Sequence, residues 1–386
     1  MKQQIYADHA ATTPLRPEVL AAMLPHLEHT YGNPSSLYAI ARVARRELDR
    51  ARDEVAALLG AQPDEVVFTS GGTESDNLAV RGVALASERR RVVTTSVEHH
   101  AVLYAARDLE RFGYQVSLLP VNEFGMVDVE VLSRTLDEDT ALVSVMLANN
   151  EVGTIQPVAE LARICRARGV PFHTDAVQAV GVLPVRVDEL GVDLLSLSAH
   201  KLYGPKGVGA LYVRRGTPLA RQVAGGAQEH ERRAGTENVP GCVGLAVALR
   251  LALAEQGAQA TRLAALRDDL IRGVLANAPG AELTGHPWRR LPGHVSLVFG
   301  TDGGEAIEGE SVLLNLDFRG IAASSGSACT SGSIEPSHVL AAMGYPEEKV
   351  RSSLRLTLGR SSTPADVAAI VAAVGETIRA FRSGSG

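Results

Sequence analysis

At 386 residues the chain is too long for one minimal domain and long enough to bury a large core, so a large domain with a smaller companion is expected. Hydrophobic residues make up 45% and charged residues 21%, as in ordinary globular enzymes, and the net charge of -6 excludes nucleic acid as the principal partner. No apolar run approaches a membrane span and the opening MKQQIYADHA lacks a signal-peptide core, so a cytoplasmic protein without a membrane partner is expected.

In chain order, YADHAATTP (6–14) reads as an extended lead-in broken at Pro14. Helical spacing starts after Ser36 and stops at Gly60, a natural C-terminal cap. A buried strand at 65–69, the turn SGGT (70–73) and a helix follow, with Thr73 and Asp76 at the spacing of a capping box. Strands at 91–96, 115–121, 141–149, 170–181 and 193–198 then alternate with amphipathic helices. That alternation predicts an α/β fold built on a mostly parallel, doubly wound sheet.

Residues 193–213 give strand, tight polar loop and strand, with Gly204, Pro205, Gly207 and Gly209 fixing the loop after His200 and Lys201. An Ala/Leu-rich helix over roughly 241–277 is expected to break near Gly257. A boundary at about residue 260 divides a large domain (15–260) from a smaller α+β domain (1–14 with 261–386). Thr363, Pro364 and Asp366 cap a last helix whose apolar face carries Val367, Ile370, Val371, Val374, Ile378 and Phe381, and the terminal SGSG is expected to be disordered.

Ligands of open α/β sheets collect at the carboxyl ends of the strands. The residues there are Gly71, Gly72 and Thr73 at a helix start, suited to an anion, then His99, Asn150, Asp175, Gln178, Ser198, His200 and Lys201. Each alone has a plainer reading: a turn, a loop histidine, an N-cap, a surface lysine. One ligand uses them together. A pyridine ring needs a carboxylate to keep its nitrogen protonated, a lysine for its aldehyde, a flat group against its face and an anion cradle for its phosphate. That set is pyridoxal 5'-phosphate (PLP), with Asp175 at the ring nitrogen and Lys201 as the Schiff-base lysine, its amine made nucleophilic by partial desolvation.

The stretches YADHAATTP, GGTESDN, EHHAV, NNEVGTIQP, HTDAVQAVG, SLSAHKLYGPKG, RRAGTENV and SSGSACTSG together resemble the cysteine desulfurases of the NifS/IscS type, fold-type I PLP enzymes of the class V aminotransferase group. The resemblance implies PLP bound by Gly72, Thr73, His99, Asn150, Asp175, Gln178, Ser198, His200 and Lys201. It implies that Thr236 completes the phosphate cradle across a homodimer, and that Asn33, Asn150 and Arg355 receive L-cysteine.

Of the three cysteines, Cys165 and Cys242 sit in apolar stretches as small buried hydrophobes, and the set has neither a disulfide framework nor metal-ligand spacing. Cys329 instead lies in AASSGSACTSGS (322–333), where every other residue is small or hydroxylic, so a mobile loop with a usable thiol is expected. The resemblance implies that Lys201 moves the substrate Cα proton, His99 handles a proton near sulfur, and Cys329 accepts the sulfur as a persulfide, leaving alanine. Cys329 would then pass sulfur to an iron–sulfur scaffold or another acceptor protein, itself at most a transient iron–sulfur ligand. The alternatives are a selenocysteine lyase or an aminotransferase on the same fold, and, from another class, a non-catalytic docking scaffold. A nicotinamide dehydrogenase is weaker, because GGT is not the G-x-G-x-x-G fingerprint.

Overall fold

The computed structural model describes residues 4–300, 307–326 and 336–383; Cys329 and residues 384–386 lie outside the described residues. The first part of the chain runs β1 (Ile5–Tyr6), α1 (Pro17–Glu28), α2 (Ala39–Leu59), β2 (Val66–Thr69), α3 (Gly72–Leu85), β3 (Arg91–Thr95), α4 (His100–Glu110) and β4 (Gln115–Leu119). It continues through α5 (Val129–Thr135), β5 (Thr140–Ser144), α6 (Val158–Ala167), β6 (Phe172–Asp175), α7 (Val187–Leu190), β7 (Leu194–Ser198), β8 (Gly209–Val213) and α8 (Val239–Asn277). The last part holds β9 (Ala281–Leu283), β10 (His294–Phe299), α9 (Gly309–Phe318), β11 (Ile321–Ala322), α10 (His338–Ala342), α11 (Glu347–Arg351), β12 (Leu354–Thr357) and α12 (Pro364–Arg382).

The central sheet has seven strands in the order β2-β8-β7-β6-β5-β3-β4. All neighbours are parallel except β8, which is antiparallel to both β2 and β7. The strands β2, β5, β6, β7 and β8 are buried throughout, as expected of a sheet covered on both faces, and the polar side chains His173, Asp175 and Ser196 of β6 and β7 are buried with them. Helices cover both faces, and the parallel strands deliver their carboxyl ends to one edge. Gly60 ends α2 in the left-handed region at φ 76°, and the Thr363–Asp366 capping box forms at the start of α12.

The second sheet, β12-β10-β9, is antiparallel, and β1 pairs with β11 in a parallel two-stranded ribbon. One apolar core under the seven-stranded sheet takes in Leu245 and Leu249 of α8, and another around β10, β12 and α12 takes in Leu263, Leu266 and Leu270 of the same helix. By length and composition α8 is apolar enough to cross a membrane, although the sequence pattern predicts no such run, yet these side chains go to the two cores.

Four expectations fail for physical reasons. The helix does not break at Gly257: α8 is continuous, and Gly257 is exposed with nothing near a would-be Cβ. An exposed helical glycine costs about 1 kcal/mol, which anchoring at both ends outweighs. The strand predicted over 170–181 stops at Asp175, because Val177 N donates to Asp175 Oδ1 at 2.9 Å and turns the chain. The strand predicted over 141–149 is regular only to Ser144. Thr73 and Asp76 form no capping box: Gly71 occupies the N-cap of α3, Ser70 N donates to Glu74 Oε2 instead, and Asp76 is buried beneath.

Candidate active site

Where β6 and β7 end and α3 begins, a cavity of about 230 Å³ is lined by Gly72, Thr73, Asp76, His99, Asn150, Asp175, Gln178, Ser198, His200, Lys201 and Arg355. The adjacency is topological. Strands β6 and β7 are parallel neighbours, so Asp175 at the end of one and Lys201 just past the end of the other face one space.

The start of α3 leaves its first backbone N–H groups without helical acceptors, and its dipole favours negative charge there. Gly72 is required: a Cβ would meet Val177 Cγ2 at 2.7 Å. Ser198 stands beside this turn, and His200 Nδ1 lies 3.1 Å from Thr12 Oγ1, its ring pushed down to about 4 by burial and then by Lys201. The anion cradle is therefore built from backbone amides and neutral side chains.

His99 caps α4 by accepting Ala101 N at Nδ1, 3.1 Å away, which fixes the ring and leaves Nε2 as its N–H. Burial, then Lys201, pushes it down to about 4, so it is a neutral, immobile plate at neutral pH. Asp175 is buried and raised to about 6, mainly by loss of water, while its bond from Val177 N and the charge of Lys201 pull the other way. A cationic ring nitrogen would replace that lost solvation.

Lys201 Nζ donates to the carbonyls of Ala10 at 2.5 Å and Ala11 at 2.7 Å. Gln178 Nε2 donates to the same Ala10 carbonyl at 3.0 Å. The stretch 6–14 is thus a clasp rather than a lead-in. Ala10 N donates to Thr357 Oγ1, Thr13 Oγ1 to the His200 carbonyl, and Tyr203 N to Thr13 Oγ1. Arg355 is buried; Nη1 donates to the Asn150 carbonyl at 3.0 Å, Nη2 to Asp8 Oδ1 at 2.8 Å, and Nε has no partner among the described residues. Its guanidinium is the cation lining the cavity that suits a substrate carboxylate.

Asn33 and Thr236 are not in this cavity. They line another hollow together with Tyr31, Pro34 and Asn238. The segment before Thr236 is fixed by the buried Arg52–Glu229 pair at 2.6 Å and by Arg233 donating to Glu74 Oε1 of α3 at 2.8 Å. Cys165 and Cys242 are buried, their thiols pushed up by loss of water. Sequence reasoning overlooks Ala10, Ala11 and Asp76 as cavity groups and Asp8 as the partner of Arg355; the capping-box spacing of Asp76 with Thr73 concealed it.

A doubly wound sheet presenting a carboxylate, a lysine, a stacking ring and a helix-start cradle at one edge defines a fold-type I architecture, and the chain belongs to the aminotransferase class-V family, whose model matches residues 5–370. Within it, the chain falls with the cysteine desulfurases: it is 49% identical over 369 residues to cysteine desulfurase IscS of Dictyoglomus turgidum, covering 95% of this chain and 92% of that one. It is also 49% identical over 381 residues to cysteine desulfurase IscS of Methanosarcina thermophila, covering 98% and 93%. Among solved structures it is similar to a NifS-like protein (TM-score 0.91, 37% identity, 98% and 100% of the two chains) and to SspA in complex with cysteine (TM-score 0.81, 34%, 92% and 99%).

Proposed function

We propose that the protein is a PLP-dependent cysteine desulfurase that moves sulfur from L-cysteine to Cys329 and releases L-alanine. The observation that carries this reading is the meeting of Asp175, Lys201, His99 and the start of α3 in one cavity that Arg355 also lines. When bound, PLP supplies an electron sink that lets the Cα proton leave and the Cβ–S bond weaken.

The chain's own groups do the rest. Gly72, Thr73, Ser198 and His200 would hold the phosphate, Asp175 would pair with the ring nitrogen, Asn150 and Gln178 would reach the ring substituent, and His99 would lie against the ring; all of them line the cavity. Lys201 moves the Cα proton, the Ala10 and Ala11 carbonyls receiving its amine when it is off the cofactor. Arg355 and Asn150 orient the substrate carboxylate, and His99 passes the proton near sulfur. The Cys329 thiolate takes the sulfur, so that cysteine and a thiol become alanine and a persulfide with no outside reductant.

The active unit in this proposal is a homodimer. Leu20, Leu24 and Leu27 of α1, with Tyr31 and Leu37, form an exposed apolar face beside the hollow of Asn33 and Thr236, and a second copy would cover it. Thr236 and Asn33 then serve the partner's site. We place the large domain at 15–260, the small one at 1–14 with 261–386, the protein in the cytoplasm, and an iron–sulfur scaffold or similar acceptor downstream. PLP-loaded protein given L-cysteine should yield one alanine per persulfide formed before acceptor is added; a keto acid instead of alanine would make it an aminotransferase.

A further inference from the structure

The floor of the cavity holds more carboxyl groups than the proposed reaction uses. Asp76 of α3 is 1% exposed, and one ligand atom each of Asp76, His99 and Asp175 lie within 4.8 Å of one another. Asp76 Oδ1 has no hydrogen-bond partner among the described residues. His173 Nε2 stands 3.7 Å from it, but cannot neutralise it. That ring already meets Ser144 Oγ at 2.8 Å through Nδ1 and Ser196 Oγ at 3.0 Å through Nε2, and complete burial pushes it down to about 3. His99 is neutral for the same reason, and Lys201 acts on Asp175. Glu98, from the turn before α4, adds a third buried carboxyl nearby. Two carboxylates this close in a buried site do not both ionise.

We propose that Asp76 is a positioning residue that keeps its proton beside Asp175, so that of the two carboxyl groups lining the cavity Asp175 alone is ionised to pair with a ring nitrogen. The inference rests on the proposed PLP site. Burial first, then Asp175 and Glu98, push Asp76 well above the usual carboxylate range, with a bond from Ser196 pulling back. A single carboxylate charge matches a single pyridinium. A second ionised carboxylate would leave a buried negative charge without a partner, which folded proteins avoid. The local sequence hides this role, since Thr73 and Asp76 have capping-box spacing at a helix whose cap is Gly71.

Infrared spectroscopy reads the proton directly. Wild-type protein at pH 7, with or without PLP, should show the carbonyl stretch of a buried carboxylic acid that shifts when aspartate is ¹³C-labelled, and Asp76→Asn should lose it. The aspartate label separates this band from protonated Glu98, and its loss in Asp76→Asn separates it from Asp175. Because Asn replaces one neutral group with another, the pH midpoint of the lysine-linked cofactor's visible band should move by less than about 0.3 unit in Asp76→Asn. No aspartate-derived band in PLP-loaded wild type, or a midpoint lowered by about one unit or more in Asp76→Asn, overturns the inference. Wild type that binds no PLP overturns the cofactor reading instead, so the two failures are distinct.

Discussion

Glu98→Gln is expected to stabilise the protein, increasingly so as pH rises. Glu98 is buried; Oε1 accepts from Met146 N at 2.8 Å and Thr95 Oγ1 at 3.0 Å, while Oε2 has no partner among the described residues. Burial raises the acid from 4.5 to about 8. A folded-state pKa above the unfolded one means that the group's contribution is fully present below about pH 4.5 and is lost as pH rises to about 8. At about 1.4 kcal/mol per pH unit, keeping or removing that proton costs roughly 3 kcal/mol at pH 7 and roughly 5 kcal/mol above pH 8. Glutamine keeps the Oε1 acceptor and carries no such cost, though its buried NH₂ returns about 1–2 kcal/mol as an unsatisfied donor. Urea unfolding of both proteins from pH 5 to 9 should give a stability difference growing in favour of the glutamine variant by about 1 kcal/mol per unit up to pH 8, then levelling. Parallel curves would show that Glu98 is ionised in the fold and refute the reasoning.

Gly72→Ala places a methyl group 2.7 Å from Val177 Cγ2 in the anion cradle, so PLP affinity measured by absorbance titration should fall about tenfold or more while the cofactor-free protein loses about 1–3 kcal/mol of stability. Arg355→Lys keeps the charge but loses the fork that reaches both the Asn150 carbonyl and Asp8; KM for cysteine should rise about tenfold while the cofactor spectrum stays. Cys329→Ala should bind PLP and cysteine yet accumulate no persulfide, which mass spectrometry of the reacted protein checks.

Much of the site was legible because an α/β sheet converts sequence position into place. Each apolar strand ends at the same edge, so Asp175, Ser198 and Lys201 converge without knowledge of any loop. The carbonyls of Ala10 and Ala11 were not legible, since backbone atoms carry no side-chain signature and the clasp forms with a loop far along the chain. Asp76 was misread through a local pattern that the tertiary fold overrides, and Gly257 through a propensity too weak to compete with two cores. Asn33 and Thr236 share a hollow that nothing in their separate local sequences joins.

The central claim is that one lysine carries the cofactor, and the chain has only Lys2, Lys201, Lys206 and Lys349 to choose from. Borohydride treatment of PLP-loaded protein fixes the cofactor to whichever lysine holds it, and peptide mass spectrometry locates it. A single modified peptide containing Lys201 is the predicted result; modification at Lys206 or elsewhere, or no fixed cofactor, would contradict the account.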